Sequence, residues 1–286
     1  MIQDIAPLRL DNHWQPGQVV REDSVVFHFR DEQVLVRAQG VAAEPLFPTA
    51  AQLGGVARLG ECRYLFSIDG RGYFLCLAAQ VAVPAGYGYE PARQVRTAQQ
   101  AALSDFYAFY TAWHLATWYR SNRFCGRCGQ PMQPDTAERA MRCPACGHIE
   151  YPRINPAIIA GVIHDDEILL TQYATQHTGH RSTFYALIAG FTEIGETLEE
   201  TVQREVYEEV GLYVRNVRYY KSQPWGSAAD ILAGFFCDVD GSTDIHRDTR
   251  ELRRALWVPR REVQLQPDDW SLTNEMMQRF KEGQPC

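Results

Sequence analysis

The chain has 286 residues, 45% hydrophobic and 22% charged, an ordinary globular composition with length enough for two domains and a small third. Its formal net charge of −7 argues against a general nucleic-acid-binding surface, although divalent cations can reverse the field locally over an anionic ligand. No apolar run approaches the ~20 residues of a membrane-spanning helix. The opening MIQDIAPLRL lacks the basic-then-apolar pattern of a signal peptide, so a cytoplasmic protein is expected.

Residues 1–95 alternate short apolar runs with turns: SVVFHF (24–29), QVLVRA (33–38), CRYLFSI (62–68) and YFLCLAA (73–79). Asp69-Gly70 and Gly86-Tyr87-Gly88 punctuate them, which predicts a β-rich N-terminal domain. His28 falls inside an alternating strand and is read as structural. Thr97 can cap a helix from about Ala98 to Tyr119. That helix carries Phe106, Tyr107, Phe109, Tyr110, Trp113 and Trp118 around most of its circumference, as a helix buried between layers or in an interface does. His114 on it is read as a core histidine.

Of eight cysteines, four form two CxxC pairs, Cys125/Cys128 and Cys143/Cys146, with 14 residues between them. Gly129 and Gly147 follow the pairs directly and suit tight turns. Four thiolates at this spacing predict one tetrahedral structural zinc with no open position. A redox role would need one isolated pair. A nucleic-acid-binding ribbon is the rival reading, but Arg127, Arg139 and Arg142 are offset by Asp135 and Glu138. Residues 96–150 therefore comprise a connecting helix and a small zinc ribbon. Cys62, Cys76 and Cys237 are read as buried thiols.

From Tyr151 to the C-terminus, 151–286, a third region alternates strands and helices. PAIIAGVIH (156–164) and EILLTQYA (167–174) flank an Asp165-Asp166 turn. FYALIAGF (184–191) leads into a helix capped by Thr197 and Glu200 and stopped by Gly211. VRNVRYYKSQPW (214–225), DILAGFFCDVDG (230–241) and ELRRALWVPRREV (251–263) follow, then a helix from Leu272 to Lys281. In the first helix Leu198, Val202, Val206 and Val210 make one apolar stripe. At roughly 100° per residue, Glu205 and Glu209 fall within about 20° of Leu198, on the edge of that stripe. Arg204 and Glu208 flank the same edge. Like charges so placed repel, and burying them costs more. One arginine is too little to neutralise Glu205, Glu208 and Glu209, and all-oxygen ligation selects Mg²⁺ or Mn²⁺.

Gly190, five residues, Glu196, seven residues, Arg204-Glu205, an apolar residue, any residue, Glu208-Glu209, any residue, Gly211 and an apolar residue: this run resembles the Nudix box at every fixed position. With the zinc ribbon, the Tyr151-Pro152-Arg153 after it and Ser222-Gln223-Pro224-Trp225, the chain resembles the zinc-ribbon-containing bacterial NADH pyrophosphatase branch, weakly over 1–95 and strongly from Cys125 onward. The resemblance implies an α+β class: a Nudix α/β/α sandwich with an N-terminal β-rich domain and a small zinc ribbon. It implies hydrolysis of NAD(H) to nicotinamide mononucleotide and AMP, removal of NAD caps from RNA 5′ ends, and a homodimer. By position, Glu205, Glu209, Glu251 and the Ala189 carbonyl would hold the catalytic metals, with Glu208 or Glu209 as base. Arg204 and Glu196 would orient them. Tyr151 and Phe191 would sandwich the nicotinamide. Glu138, Ser222, Gln223, Trp225, Asp230 and Thr273 complete the expected substrate-binding set. The branch's loop continues from SQPW with Pro-Phe-Pro, a variable residue and Ser. Here it reads Gly226-Ser227-Ala228-Ala229-Asp230, without either proline and with an acid where the serine stands. Competing readings are a Nudix hydrolase of ADP-ribose, FAD or a dinucleoside polyphosphate, and a non-catalytic nucleotide sensor or nucleic-acid binder.

Overall fold

The computed structural model describes residues 1–38, 45–95, 101–174, 184–267 and 269–284. The chain divides into two compact units: Gln3–Arg153 with Gly226–Ala228, and Met1–Ile2 with Ile154–Trp225 and Ala229–Cys286. Among the described residues no helix is long and apolar enough to cross a membrane.

In the N-terminal unit, β1 (Leu10–Asp11), β2 (Val25–Phe27), β3 (Phe29–Arg30), β4 (Gln33–Arg37), β5 (Cys62–Ile68), β6 (Arg71–Cys76) and β7 (Tyr87–Pro91) form two sheets, ordered β1-β5-β6-β2 and β3-β4-β7. The first strands are buried as short apolar runs: Val25, Val26 and Phe27 are all buried, as are Val34, Leu35 and Val36. His28 is buried, with Nε2 2.9 Å from the Ala78 carbonyl and Nδ1 2.6 Å from the Tyr89 hydroxyl. Burial holds its pKa below the usual value. Both ring nitrogens are used in packing this unit. Helix α1 spans Leu103–Ser121 and buries Phe106, Ala108, Phe109, Ala112, Trp118 and Tyr119. The expected start near Ala98 lies outside the described residues. Ala102 is extended at φ −68 and ψ 151, with no side-chain cap, and the expected cap Thr97 lies outside the described residues. His114 places Nε2 2.7 Å from the Arg153 carbonyl. Three two-residue strands, β8 (Gln133–Pro134), β9 (Met141–Arg142) and β10 (Ile149–Glu150), make the ribbon around the cysteines.

The C-terminal unit is built on β11 (Asn155–His164), β12 (Glu167–Tyr173), β13 (Ile188–Phe191), β14 (Tyr213–Trp225), β15 (Asp230–Asp240) and β16 (Leu252–Pro259). Their order is β14-β15-β11-β12-β16, with β13 also paired to β11. The β11–β15 pair is parallel and the others are antiparallel. Central strands covered on both faces read as continuous apolar runs, and β11 and β15 do. Ile158, Ala160, Val162 and Phe235 join Val202, Val206 and Val210 of helix α2 (Leu198–Val210) in one core. Ile159 and Phe236, one residue out of phase, join Leu272, Met276, Met277 and Phe280 of helix α3 (Leu272–Lys281) in another. The period-2 alternation of the strands thus sorts side chains to two helices, giving the anticipated α/β/α sandwich. The expected 184–191 strand shortens to Ile188–Phe191, since Ala186 meets Thr171 only through an isolated bridge.

Candidate active site

Helix α2 carries most of the acidic cluster, and its ends are set by local chemistry. The Thr197 hydroxyl accepts from the Glu200 N–H, and the Glu200 carboxylate accepts from the Thr197 N–H, a reciprocal capping box. Gly211 ends the helix in the left-handed region at φ 71. Between these ends the apolar stripe buries Val202, Val206 and Val210, which drags the adjoining acids inward.

Arg204 is the hub. Its Nε donates to Glu196 Oε1 at 2.6 Å, and its Nη2 donates to Glu196 Oε2 at 3.0 Å and to the Phe191 carbonyl at 2.9 Å. Its Nη1 reaches Glu205 Oε1 at 2.8 Å and Glu208 Oε2 at 3.0 Å. Glu196 also accepts from the Glu193 N–H and the Thr201 hydroxyl. The Arg204 guanidinium and then these donors hold the Glu196 carboxyl down to about 2. Glu196 and Arg204 are therefore a fixed ion pair that pins β13 to α2.

Glu209 has the opposite fate. It is 2% exposed, and its Oε2 is buried without a hydrogen-bond partner. Burial first, then the carboxylates of Glu205, Glu251, Asp248 and Glu208, push it up to about 9. Glu205 is raised too, by burial working against the Arg204 contact. Glu251 stands just before β16, where its carbonyl accepts the Ala174 N–H at 2.8 Å. Two neighbours escape a sequence reading. Asp248 donates its N–H to the Glu209 carbonyl at 2.8 Å, and Tyr173 is shifted by burial and then by Glu209, Glu205 and Glu251. Asp248 meets α2 through that backbone bond, and the pairing of β12 with β16 sets Tyr173 opposite Leu252, next to Glu251.

The donor set is all oxygen, with a buried unpaired carboxylate oxygen among mutually repelling acids, and it fits a hard divalent cation. Glu205 and Glu208 turn to Arg204 instead of converging on one point. Among the described residues, only Cys125, Cys128, Cys143 and Cys146 form a group whose donor atoms all lie within 4.8 Å of one another. Their sulfurs approach at 3.7 Å (Cys125–Cys146) and 3.5 Å (Cys128–Cys143), a geometry fit for structural zinc.

Gly190 seats Glu205: a Cβ there would overlap the Glu205 carboxyl carbon. Gly190→Ala is expected to displace that carboxylate and lower turnover by roughly 10²-fold, as a 1 Å misplacement does. Steady-state kinetics on variant and parent check it, with circular dichroism to confirm an unchanged fold.

The residues expected at the substrate are placed unevenly. Phe191 and Tyr151 are both 52% exposed, and Ala189 is half-buried on β13. Tyr151 donates its hydroxyl to Glu138 Oε1 at 2.8 Å. Ser222 and Trp225 are half-buried on β14, with the Trp225 ring 5.8 Å from that of Trp270. Thr273 is half-buried in the first turn of α3. Gln223 is turned away from solvent altogether: its amide donates to the Trp270 carbonyl and accepts from the Leu272 N–H, both at 2.8 Å. Its side chain fixes the start of α3. Gly226 meets the Tyr110 carbonyl so closely that any Cβ would overlap it. A proline at this position would meet the same overlap.

Asp230 is 6% exposed, and its Oδ1 has no partner. Burial raises its carboxyl from 3.8 to about 6, against a hydrogen bond from Asn155. A raised acid leaves the fold most stable below the unfolded value, and that stability is lost as pH rises through about 6. Asp230→Asn should therefore melt higher than the parent at pH 7.5, by about 1–3 kcal/mol, and the gap should close toward pH 4. Thermal melts across that range check the sign.

Residues 154–280 match the NUDIX domain, and residues 120–151 match the NADH pyrophosphatase zinc ribbon domain. The C-terminal part of the chain is thus similar to a NUDIX domain preceded by that zinc ribbon. Over 164 residues the chain is 42% identical to the NAD-capped RNA hydrolase NudC of Enterobacter sp. (strain 638), covering 57% of this chain and 62% of that protein. Over 143 residues it is 47% identical to the NAD-capped RNA hydrolase NudC of Shigella dysenteriae serotype 1 (strain Sd197), covering 50% and 54%. The matches therefore span less than two thirds of either relative. The fold also resembles a NUDIX hydrolase from Nitrosomonas europaea, at 19% identity and a TM-score of 0.48, over 57% of this chain and 94% of that one.

Proposed function

We propose that the chain hydrolyses the diphosphate bond of NAD(H) to nicotinamide mononucleotide and AMP, and removes NAD caps from RNA 5′ ends. The observation that carries the chemistry is Glu209, buried with an unpaired carboxylate oxygen beside Glu205. Mg²⁺ or Mn²⁺ held by Glu205, Glu209, Glu251 and the Ala189 carbonyl would neutralise the diphosphate and acidify the attacking water. The chain's own groups do the rest. Glu208 or Glu209 accepts the water's proton. Arg204, locked by Glu196, orients Glu205 and Glu208. In this reading the exposed ring of Phe191 stacks on the nicotinamide. A cytoplasmic homodimer goes with the reading, and sedimentation tests the dimer.

The relatives' name and the matching zinc ribbon support an NAD-type substrate. The loop from Gly226 to Asp230, held to glycine by Tyr110, favours a second reading in which ADP-ribose, FAD or a dinucleoside polyphosphate is preferred. A panel of these compounds with NADH and NAD, assayed with Mg²⁺ or Mn²⁺ and analysed for products, separates the two. Turnover of none of them would leave a nucleotide sensor.

A further inference from the structure

The N-terminal unit contains a cavity of about 440 Å³ between its sheets and the C-terminal half of α1. Three arginines line it: Arg63 from β5, Arg120 from the last turn of α1, and Arg123 just beyond it. Three acids stand near these three arginines, two of them paired with Arg120 and Arg63. Asp31 lines the cavity, Glu32 lies 3.5 Å from Arg120, and Glu61, largely exposed, lies 3.5 Å from Arg63. Arg123 pairs with no carboxylate among the described residues, and its guanidinium sits only over the Phe124 ring. Arg63 Nε and the Oγ1 of Thr117, a further lining side chain, are buried without hydrogen-bond partners.

Aromatic groups make the remaining wall. Trp113 meets Phe29 edge-on at 5.3 Å, and the Arg120 guanidinium lies 5.7 Å from the Trp113 ring. Arg63 lies 4.7 Å over Tyr119. A half-buried indole beside guanidinium groups is the arrangement that takes a planar base on its face and a phosphate on its donors. The volume falls at the small end of the range for ligand pockets, about 300–1,000 Å³, enough for one nucleotide unit.

We propose that this cavity is a second binding site, for a nucleoside monophosphate, with the base against Trp113 and the phosphate on Arg120 and Arg123. All of its groups belong to the N-terminal unit and none is a member of the carboxylate cluster of α2, so the proposal does not depend on the hydrolytic reading.

The test uses the full chain in magnesium-free buffer. Equilibrium dialysis of AMP should saturate with a Kd below about 1 mM. Photolabelling with 8-azido-AMP should mark peptides containing Phe29 or Trp113. The double variant Arg120→Ala/Arg123→Ala should bind at least ~10-fold more weakly through loss of charge-assisted contacts, with zinc content and melting temperature unchanged. Adenosine and inorganic phosphate should each bind more weakly than AMP. Competition by a 5′-phosphorylated oligoribonucleotide would assign the nucleotide to an RNA end. Failure of that oligomer to compete would assign it to a free nucleotide, and either result upholds the site. No saturable binding, label confined to the C-terminal unit, or equal affinity in parent and double variant would overturn it.

Discussion

Glu209→Gln is expected to lower divalent-dependent hydrolysis by at least ~100-fold and, in the metal-free protein, to raise the melting temperature. The two effects share a cause. Glu209 is buried among Glu205, Glu251, Asp248 and Glu208, and its Oε2 has no partner. At neutral pH the fold must keep a proton on Glu209 that the unfolded chain gives up, which costs it free energy, and a neutral amide of the same shape removes that cost, roughly 1–3 kcal/mol. The opposite changes in rate and stability separate this from a merely disruptive substitution. Parallel assays with Mg²⁺ and melts without it check both. Unaltered turnover would remove Glu209 from the chemistry, and a lower melting temperature would contradict the account of its burial.

Cys143→Ser is expected to abolish zinc retention and open the segment around β8, β9 and β10. Cys143 is fully buried and 3.5 Å from Cys128, and three two-residue strands cannot form an independent core. In small zinc modules the apparent metal-binding free energy, about 10–16 kcal/mol at pH 7, is itself the folding free energy. Zinc analysis of the purified variant should show metal lost from the chain, and limited proteolysis should cut first between residues 120 and 151. A variant that keeps its zinc and resists cleavage would contradict a four-thiolate site.

The clustering of Arg204, Glu205, Glu208 and Glu209 was legible in the sequence because helix phase is a local property. Thr197, Glu200 and Gly211 fix both ends of α2, and the stripe from Leu198 to Val210 fixes which acids turn inward. The strands β11 and β15 were legible for the same reason. The extended backbone of Ala102, just before α1, carries no signal of its own in the sequence. Contacts between distant segments were equally hidden. Asp248 reaches Glu209 through a backbone bond and Tyr173 through strand pairing, Gln223 is taken up by backbone groups of Trp270 and Leu272, and Gly226 answers to Tyr110. Register shifts in β14, between Arg215 and Arg218 and between Tyr219 and Lys221, likewise leave no mark in the apolar pattern.

The most direct test is incubation of the full chain with NADH and Mg²⁺ or Mn²⁺, with the products separated and identified. The account predicts reduced nicotinamide mononucleotide and AMP in equal amounts, formed only when the divalent ion is present. Formation of any other product pair from NADH, or the same products at the same rate after chelation of the added ion, would contradict it.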